Sequence, residues 1–255
     1  MTKTTITSAA LLAGLACPPG AHAFTASAAD IAAFLGTSLE SMEGINPSAL
    51  EEPADPVTRG SALRRTITVA AGDVLTFDWF FGTDEGPNGA DDGVLDFAFF
   101  SVNGALTRLA AVSDELELAT DSRFIDQLTA QGESYFRSAQ VTFDGDGEIL
   151  LGFAAVDVSD TIIATGLIVD NVRLNESLLD GGGFEDFTIV ENFTTFAGWE
   201  SLGDASPWDN TPGATEGAFG AVVTTGNFPE PVPLPAGLWL LGTGLGALCA
   251  LRRRP

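Results

Sequence analysis

The sequence has almost none of the side chains on which most catalytic and metal sites depend. Its only histidine is His22, its only lysine is Lys3, and its two cysteines are Cys17 and Cys249. Lys3, Cys17 and His22 lie near the N-terminus and Cys249 lies near the C-terminus, so residues 24–235 contain none of these types. This excludes Ser-His-Asp and Cys-His nucleophile systems, His/Cys zinc sites, disulfides and Schiff-base lysines from the central region.

Basic charge is also scarce. Residues 24–235 hold seven Arg against 35 Asp and Glu, a formal net charge of −28. A nucleic-acid-binding protein needs a basic footprint, so nucleic acid is excluded as a partner. Two interpretations of the acidic surface stay open: carboxylates that bind Ca²⁺ through oxygen ligands, and charge that serves only solubility.

The first 23 residues have the pattern of a secretory signal peptide. Lys3 precedes an apolar run, and a small-x-small tripeptide ends at Ala23, where we expect cleavage. The mature chain would then begin at Phe24. In the alternative, Cys17 is the acylated residue of a lipoprotein, but its flanking residues fit that signal poorly.

The last residues, 236–255, combine an uncharged apolar run with a basic end. The run 236–251 is somewhat short for a bilayer-spanning helix, but it can span if the bilayer thins. Arg252, Arg253 and Arg254 would stay on the cytoplasmic side. The sequence therefore predicts a C-terminal transmembrane helix, and a permanent tail anchor is one interpretation of it.

The residues before this helix carry a resemblance. Val232-Pro233-Leu234-Pro235-Ala236, followed by a short apolar helix and arginines, resembles the VPLPA-CTERM sorting signal, a relative of the PEP-CTERM signal of Gram-negative bacteria. The resemblance implies recognition by an exosortase-type membrane protease in the inner membrane. It implies that the protein is anchored there first and then passes to the cell surface or the exopolysaccharide matrix.

Two-residue alternation predicts β-structure for most of the central region. In 74–81 it places Leu75, Phe77, Trp79 and Phe81 on one face, and in 95–102 it places Leu95, Phe97 and Phe99 on one face. Segments 135–143, 148–158 and 167–174 also read as strands, with 144–147 (DGDG) as a hairpin turn. We expect an all-β fold, an antiparallel two-sheet sandwich.

Helix is expected in few places. Helical spacing of apolar residues predicts a short helix over 30–42 with Asp30 as N-cap, and a weaker candidate covers 114–128. Segment 46–60 reads as an acidic, proline-bearing loop. Segment 227–235, with four prolines, reads as a semi-rigid spacer before the membrane.

The central region carries a second resemblance. Segments 60–63, 71–79, 96–99 and 167–174 resemble a jelly-roll domain of PEP-CTERM-type exported proteins, distantly similar to carbohydrate-binding jelly rolls. In those domains a Gly-Phe-Glu strand usually opens the fold, whereas here Gly183-Phe184-Glu185 comes late. The order implies a circular permutation in which 183–226 completes a sandwich spanning 24–226. A truncated second domain is the alternative.

Two groups of residues are calcium candidates. The loop 83–93 offers Asp84, Glu85, Asp91 and Asp92 within a short stretch, although its spacing does not match an EF-hand and a solvated turn explains it equally well. The second group comes from the jelly-roll resemblance, which implies a structural calcium at Glu185 and Asp170. In the alternative, Asp170 only accepts backbone hydrogen bonds.

Aromatic residues are the usual platforms for sugars. Trp79 and Trp199 are expected in the core, whereas Trp208 follows Pro207 in loop-like sequence and is the glycan candidate. The favoured function is a non-catalytic surface or matrix protein. A glycan-binding surface protein, with exopolysaccharide as partner, is the alternative. A glycosidase using two carboxylates is a third hypothesis, for which the sequence picks no pair.

Overall fold

A computed structural model of the chain describes residues 25–47, 55–83, 95–112, 136–159, 165–190, 193–209 and 215–226. The predicted signal peptide 1–23, acidic loop residues 84–92, helix 114–128, spacer 227–235 and C-terminal segment 236–255 lie outside these ranges. Within the described ranges, no helix has the length and apolar character needed to cross a membrane.

The described chain consists of two short helices and fourteen strands. In chain order they are β1 (Ala26–Ser27), α1 (Ala28–Phe34), α2 (Leu39–Glu43), β2 (Val57–Val69), β3 (Val74–Thr83), β4 (Phe97–Val102), β5 (Ala105–Ala111), β6 (Arg137–Thr142), β7 (Gly147–Val158), β8 (Thr165–Leu174), β9 (Ser177–Leu178), β10 (Phe187–Val190), β11 (Phe193–Phe196), β12 (Glu200–Leu202), β13 (Asp204–Asp209) and β14 (Phe219–Thr224).

The strands form two antiparallel sheets. Sheet one has the order β1-β2-β7-β4-β5, with β12 paired to β2, and sheet two has the order β13-β14-β8-β3-β6, with β9 paired to β8. Strands β10 and β11 form a separate two-stranded hairpin. The predicted all-β antiparallel fold is confirmed.

The main core lies between the two sheets. Phe77 of sheet two meets Phe100 and Phe153 of sheet one edge to face, with ring centroids 5.2 and 4.9 Å apart. Leu75, Trp79 and Phe81 of β3 point into the same core, as the alternation predicts. The core positions expected for Trp79 and Trp199 are confirmed, since both are buried there. The arrangement is that of a sandwich.

A second apolar cluster covers the other face of sheet one. Leu95, Phe97 and Phe99 share this face, as predicted, and belong to the same cluster as Ile31 and Leu35 of the helical segment. The helices therefore protect the outer face of sheet one. This explains why β4 is apolar on both faces, since Ala98 and Phe100 fill the main core.

The prediction of one helix over 30–42 is wrong in its bounds. The segment forms α1 and α2, separated at Gly36, whose φ of +68° ends the first helix. The N-cap of α1 is Ser27 rather than Asp30, because the Ser27 hydroxyl accepts the Asp30 N–H at 3.2 Å. Ser38 caps α2 in the same way.

The prediction of a hairpin at 144–147 is also wrong. The flanking strands exist, but β6 pairs with β3 in sheet two while β7 pairs with β2 and β4 in sheet one. The turn crosses between sheets beside the β2–β3 connection, where Asp146 accepts the Ala71 N–H. The predicted loop 46–60 is likewise too long, since β2 begins at Val57.

Strands of the segment 183–226 pair with both sheets. Strand β14 pairs with β8, from Ala221↔Val169 to Thr224↔Gly166, and β12 pairs with β2. Phe184, Phe196 and Trp199 add their side chains to the main core. A truncated second domain folding by itself is therefore wrong, because this segment supplies strands to both sheets of the single sandwich.

Candidate functional site

The carboxylates of Asp170 and Glu185 hold the same turn. Oδ2 of Asp170, on β8, accepts the N–H of Thr215 at 2.9 Å, its hydroxyl at 3.0 Å, and the N–H of Glu216 at 3.0 Å. Oε1 of Glu185 accepts the N–H groups of Ala218 and Phe219 at 2.6 and 2.8 Å. The two residues singled out by the jelly-roll resemblance thus bind successive N–H groups of one chain segment.

Gly217 separates the two anchored pairs of N–H groups. Its φ is +63°, and a Cβ atom at this position would collide with the Glu185 carboxylate. Glycine supplies both the left-handed conformation and the space. The turn 215–219 therefore depends on the two carboxylates and on the absence of a side chain at residue 217.

Asp170 is fully buried although it carries a carboxyl group. Burial raises the pKa of Asp170 to about 6, while the hydrogen bonds from Glu216, Asn171 and Thr215 act in the opposite direction. The donors that face this carboxylate are N–H and O–H groups of the protein. The hydrogen-bonding role foreseen for Asp170 is thus present.

A strip of polar side chains crosses sheet two next to Asp170. Glu216 pairs with Arg173 at 2.9 Å, Arg173 donates to Asn171, Asn171 donates to Asp78 at 2.8 Å, and Asp78 accepts the Ser138 hydroxyl. We call these five residues the polar strip. It spans β8, β3 and β6 and ends at the turn 215–219.

An irregularity in β8 makes this strip possible. The β3–β8 register shifts between Thr76 and Asp78, and Asn171 has a φ of +54°. Such a β-bulge changes the direction of the side chains that follow it. Asp170 and Asn171, which would otherwise point to opposite faces of the sheet, therefore both join hydrogen bonds on the side of Asp78 and Glu216, where Arg173 also lies.

Trp208 lies on the same face of sheet two. It pairs with Gly220, and a Cβ at Gly220 would lie 3.6 Å from that of Asp170. The indole is half-buried and packs on a small cluster of Phe80, Ile168 and Val222, with Phe136 beside it. An aromatic ring and the polar strip are therefore neighbours on one face, and Trp208 belongs to β13 rather than to a loop.

A second polar network is buried at one end of the sandwich. Asp96, just before β4, accepts the Val158 N–H at 2.9 Å and the Thr165 hydroxyl at 2.7 Å. Asp157 of β7 pairs with Nε of Arg59 at 2.8 Å. Both aspartates are fully buried, so a substrate does not reach them, which argues against their use as a glycosidase pair.

The two buried aspartates influence one another strongly. Burial raises the pKa of Asp96 to about 8, and the neighbouring Asp157 carboxylate adds to this effect. Burial also raises the pKa of Asp157, although the Thr225 hydroxyl and Arg59 act in the opposite direction. Of the two carboxyl groups, Asp157 is the one that has a cation, Arg59, beside it.

Several predicted site residues lie outside the described ranges. These are the calcium candidates Asp84, Glu85, Asp91 and Asp92 and the sorting-signal residues Val232, Pro233, Leu234, Pro235, Ala236, Arg252, Arg253 and Arg254. Among the described residues, no three Asp, Glu, His or Cys side chains gather in a way that could hold a metal ion.

Sequence reasoning missed the polar strip and the Asp96–Asp157 pair. Asp96 and Asp157 are far apart in the chain and sit at strand ends, where aspartate is common. Asn171 follows Asp170 in the 167–174 segment, and these two adjacent polar residues interrupt the alternation of the strand at the place where the bulge occurs.

The described residues define a class, a mostly β protein built from two antiparallel sheets that enclose one main core. Comparison with protein-family models, with curated proteins and with solved structures finds no match for the chain.

Proposed function

We propose that this chain is an exported, non-catalytic protein of the cell surface or extracellular matrix. In this proposal the N-terminal segment 1–23 directs export, and an exosortase-type protease processes the tail after recognising Val232 to Ala236. Before processing, the segment 236–255 anchors the protein in the inner membrane of a Gram-negative bacterium. The sandwich is the part that reaches its destination.

The position of the fold in the chain is the observation that carries the proposal. The sandwich occupies the interval between the two terminal segments, and its last strand, β14, ends at Thr224, shortly before the proline motif. Cleavage near Pro235 would therefore remove no described strand. A sorting signal must be separable from the domain it delivers, and this arrangement meets that requirement.

The proposal is tested by blocking recognition of the motif. In producing cells, replacing Pro233 and Pro235 together by Ala should retain the chain in the inner-membrane fraction at its unprocessed mass. Pro231→Ala is the matched control, because it removes a proline of the same spacer outside the motif and should leave release intact. Equal release of all three proteins would contradict a role for the motif.

A second candidate function is glycan binding, with exopolysaccharide as the partner. Trp208 and the polar strip favour it, because an aromatic ring covers the apolar face of a sugar while carboxylates, amides and guanidinium groups bind its hydroxyls. In this structure the ring of Trp208 is half-buried and the strip residues Asp78, Asn171 and Arg173 are partly exposed.

Affinity electrophoresis in gels that contain the exopolysaccharide of the producing cells tests this function. Trp208→Ala should lose retardation, and Trp208→Phe should keep part of it. Ile189→Ala is the control, since this exposed apolar residue lies on the separate hairpin. Because Trp208 packs on Phe80, a thermal melt must show that each variant is folded. Unchanged retardation of folded Trp208→Ala would exclude this site.

Calcium binding at Asp170 and Glu185 is a further part of the proposal, as is binding by the loop containing Asp84, Glu85, Asp91 and Asp92. The hydrogen bonds that Asp170 and Glu185 accept from the turn 215–219 provide a role for them without a metal. Isothermal titration with Ca²⁺ separates the two sites: Glu185→Gln removes binding at the first, and Asp91→Asn with Asp92→Asn removes binding at the second.

A further inference from the structure

The buried pair of Asp96 and Asp157 joins several strands at one end of the sandwich. Asp96 accepts the backbone N–H of Val158, on β7, and the side-chain hydroxyl of Thr165, on β8. Asp157 binds Arg59 of β2. The pair therefore connects sheet one, to which β2, β4 and β7 belong, with sheet two, to which β8 belongs.

Among the described residues, one oxygen of the pair lacks a donor in good hydrogen-bond geometry. Oδ2 of Asp157 accepts from Arg59, whereas Oδ1 is buried and has no such donor, although the Thr225 hydroxyl lies near enough to lower the pKa of Asp157. Oδ1 of Asp96 accepts the N–H of Val158, the residue that follows Asp157, and each of the two carboxyl groups influences the pKa of the other. A direct hydrogen bond between the two side chains would give Oδ1 of Asp157 its donor. Two ionised carboxylates cannot form that bond, because each is only an acceptor.

The charges around the pair also favour one proton between the two carboxyl groups. Within the described residues, Asp96 faces Asp157 on β7 and, beyond it, Arg59 on β2. Strands β3 and β8 and the segment after β14 contribute the uncharged hydroxyls of Thr83, Thr165 and Thr225. A single cation facing two buried carboxylates compensates one negative charge, and a proton removes the other.

We propose that Asp96 and Asp157 share one proton, so that a neutral Asp96 donates a hydrogen bond to Oδ1 of an ionised Asp157. This acid–carboxylate pair satisfies the orphan oxygen, leaves the Arg59 ion pair intact and ties the two sheets together. Loss of the proton breaks this hydrogen bond and leaves two facing negative charges in the protein interior. The pair thus stabilises the contact between the two sheets, and this stabilisation is lost at alkaline pH.

The pH window follows from the direction of the shift. Burial raises the pKa of Asp96 in the folded chain to about 8, whereas the unfolded chain has the ordinary value of about 4. The folded state therefore holds a proton that the unfolded state has released. The stabilisation is complete below the unfolded value and is lost as the pH rises towards the folded value.

The test compares the full chain with Asp96→Asn, in which the amide donates to Asp157 permanently. Unfolding equilibria are measured in urea from about pH 6 to pH 8. One proton changes the folding equilibrium constant by up to tenfold per pH unit. Across this range the folding equilibrium constant of wild type should therefore fall more than tenfold relative to that of Asp96→Asn. Asp144→Asn is the matched control, because it removes one exposed negative charge and should keep the wild-type slope.

Parallel slopes for wild type and Asp96→Asn would overturn the proposal. Should the variant fail to fold, the ¹³C carboxyl resonances of wild type decide: one aspartate should titrate near pH 8, above Asp170 at about 6, and the proposal fails if none does. Addition of Ca²⁺ distinguishes a bridging cation from a proton. Stabilisation by Ca²⁺ that is present in Asp144→Asn but lost in Asp96→Asn would also overturn it.

Discussion

Oδ2 of Asp170 accepts both the backbone N–H and the hydroxyl of Thr215, at 2.9 and 3.0 Å. These bonds fasten the segment that leads into β14 onto β8, the strand with which β14 pairs. Asp170 therefore helps to hold the C-terminal part of the fold, 183–226, on the sheet that the preceding strands form.

Asp170→Asn should lower the free energy of unfolding by about 2–3 kcal/mol, because the amide nitrogen cannot accept hydrogen bonds and leaves buried donors unpaired. Urea denaturation at neutral pH measures the change. Asp186→Asn is the control at an exposed aspartate near Glu185, where we expect a change within about 0.5 kcal/mol. Equal stability of the two variants would show that the Asp170 bonds contribute little.

Gly217→Ala should destabilise the protein by roughly 2 kcal/mol. The new Cβ meets the Glu185 carboxylate, and alanine is strained at a φ of +63°. Gly145→Ala provides the comparison, because nothing lies within 4 Å of a Cβ there and φ is not positive. Thermal melts of both variants test the prediction. A destabilised Gly145→Ala together with an unaffected Gly217→Ala would contradict it.

Phe77→Ala should cost about 3–5 kcal/mol, since this ring is fully buried and joins the two sheets through Phe100 and Phe153. Ile189→Ala, at a residue 59% exposed, should change stability by less than about 0.5 kcal/mol. Chemical denaturation of the two variants is the measurement. A small effect of Phe77→Ala would mean that the sheets do not share this core.

A chain truncated after residue 226 should keep cooperative unfolding, whereas a chain truncated after residue 180 should not fold. The shorter one lacks β14, which pairs with β8, and β12, which pairs with β2, and it loses Trp199 from the main core. Circular dichroism melts and limited proteolysis distinguish the two products. A cooperative melt of the shorter product would show that 183–226 is an addition to a complete fold.

Local patterns predict the strands well. The alternation in β3 identifies Phe77 and Trp79 as core residues because a strand with one face in the core repeats every two residues. Strand partners are a different matter. The DGDG turn after β6 has the composition of a hairpin, yet β6 pairs with β3, because contacts with residues distant in sequence outweigh the local turn preference.

The candidate sites show the same division. Asp170 and Glu185 come from a resemblance, and in the structure both accept hydrogen bonds from the turn 215–219. The Asp96–Asp157 pair depends on two strand ends that become neighbours only in the folded chain. The bulge at Asn171 likewise follows from how β8 fits β3, so no local pattern predicts the complete polar strip.

The most direct test of export and sorting is the intact mass of the protein recovered from each fraction of its native cells. We predict a product on the surface or in the medium whose mass corresponds to a chain beginning near Phe24 and ending near the Val232–Ala236 motif. A protein found in the inner membrane with Arg252, Arg253 and Arg254 still attached would contradict processing and would indicate a permanent anchor.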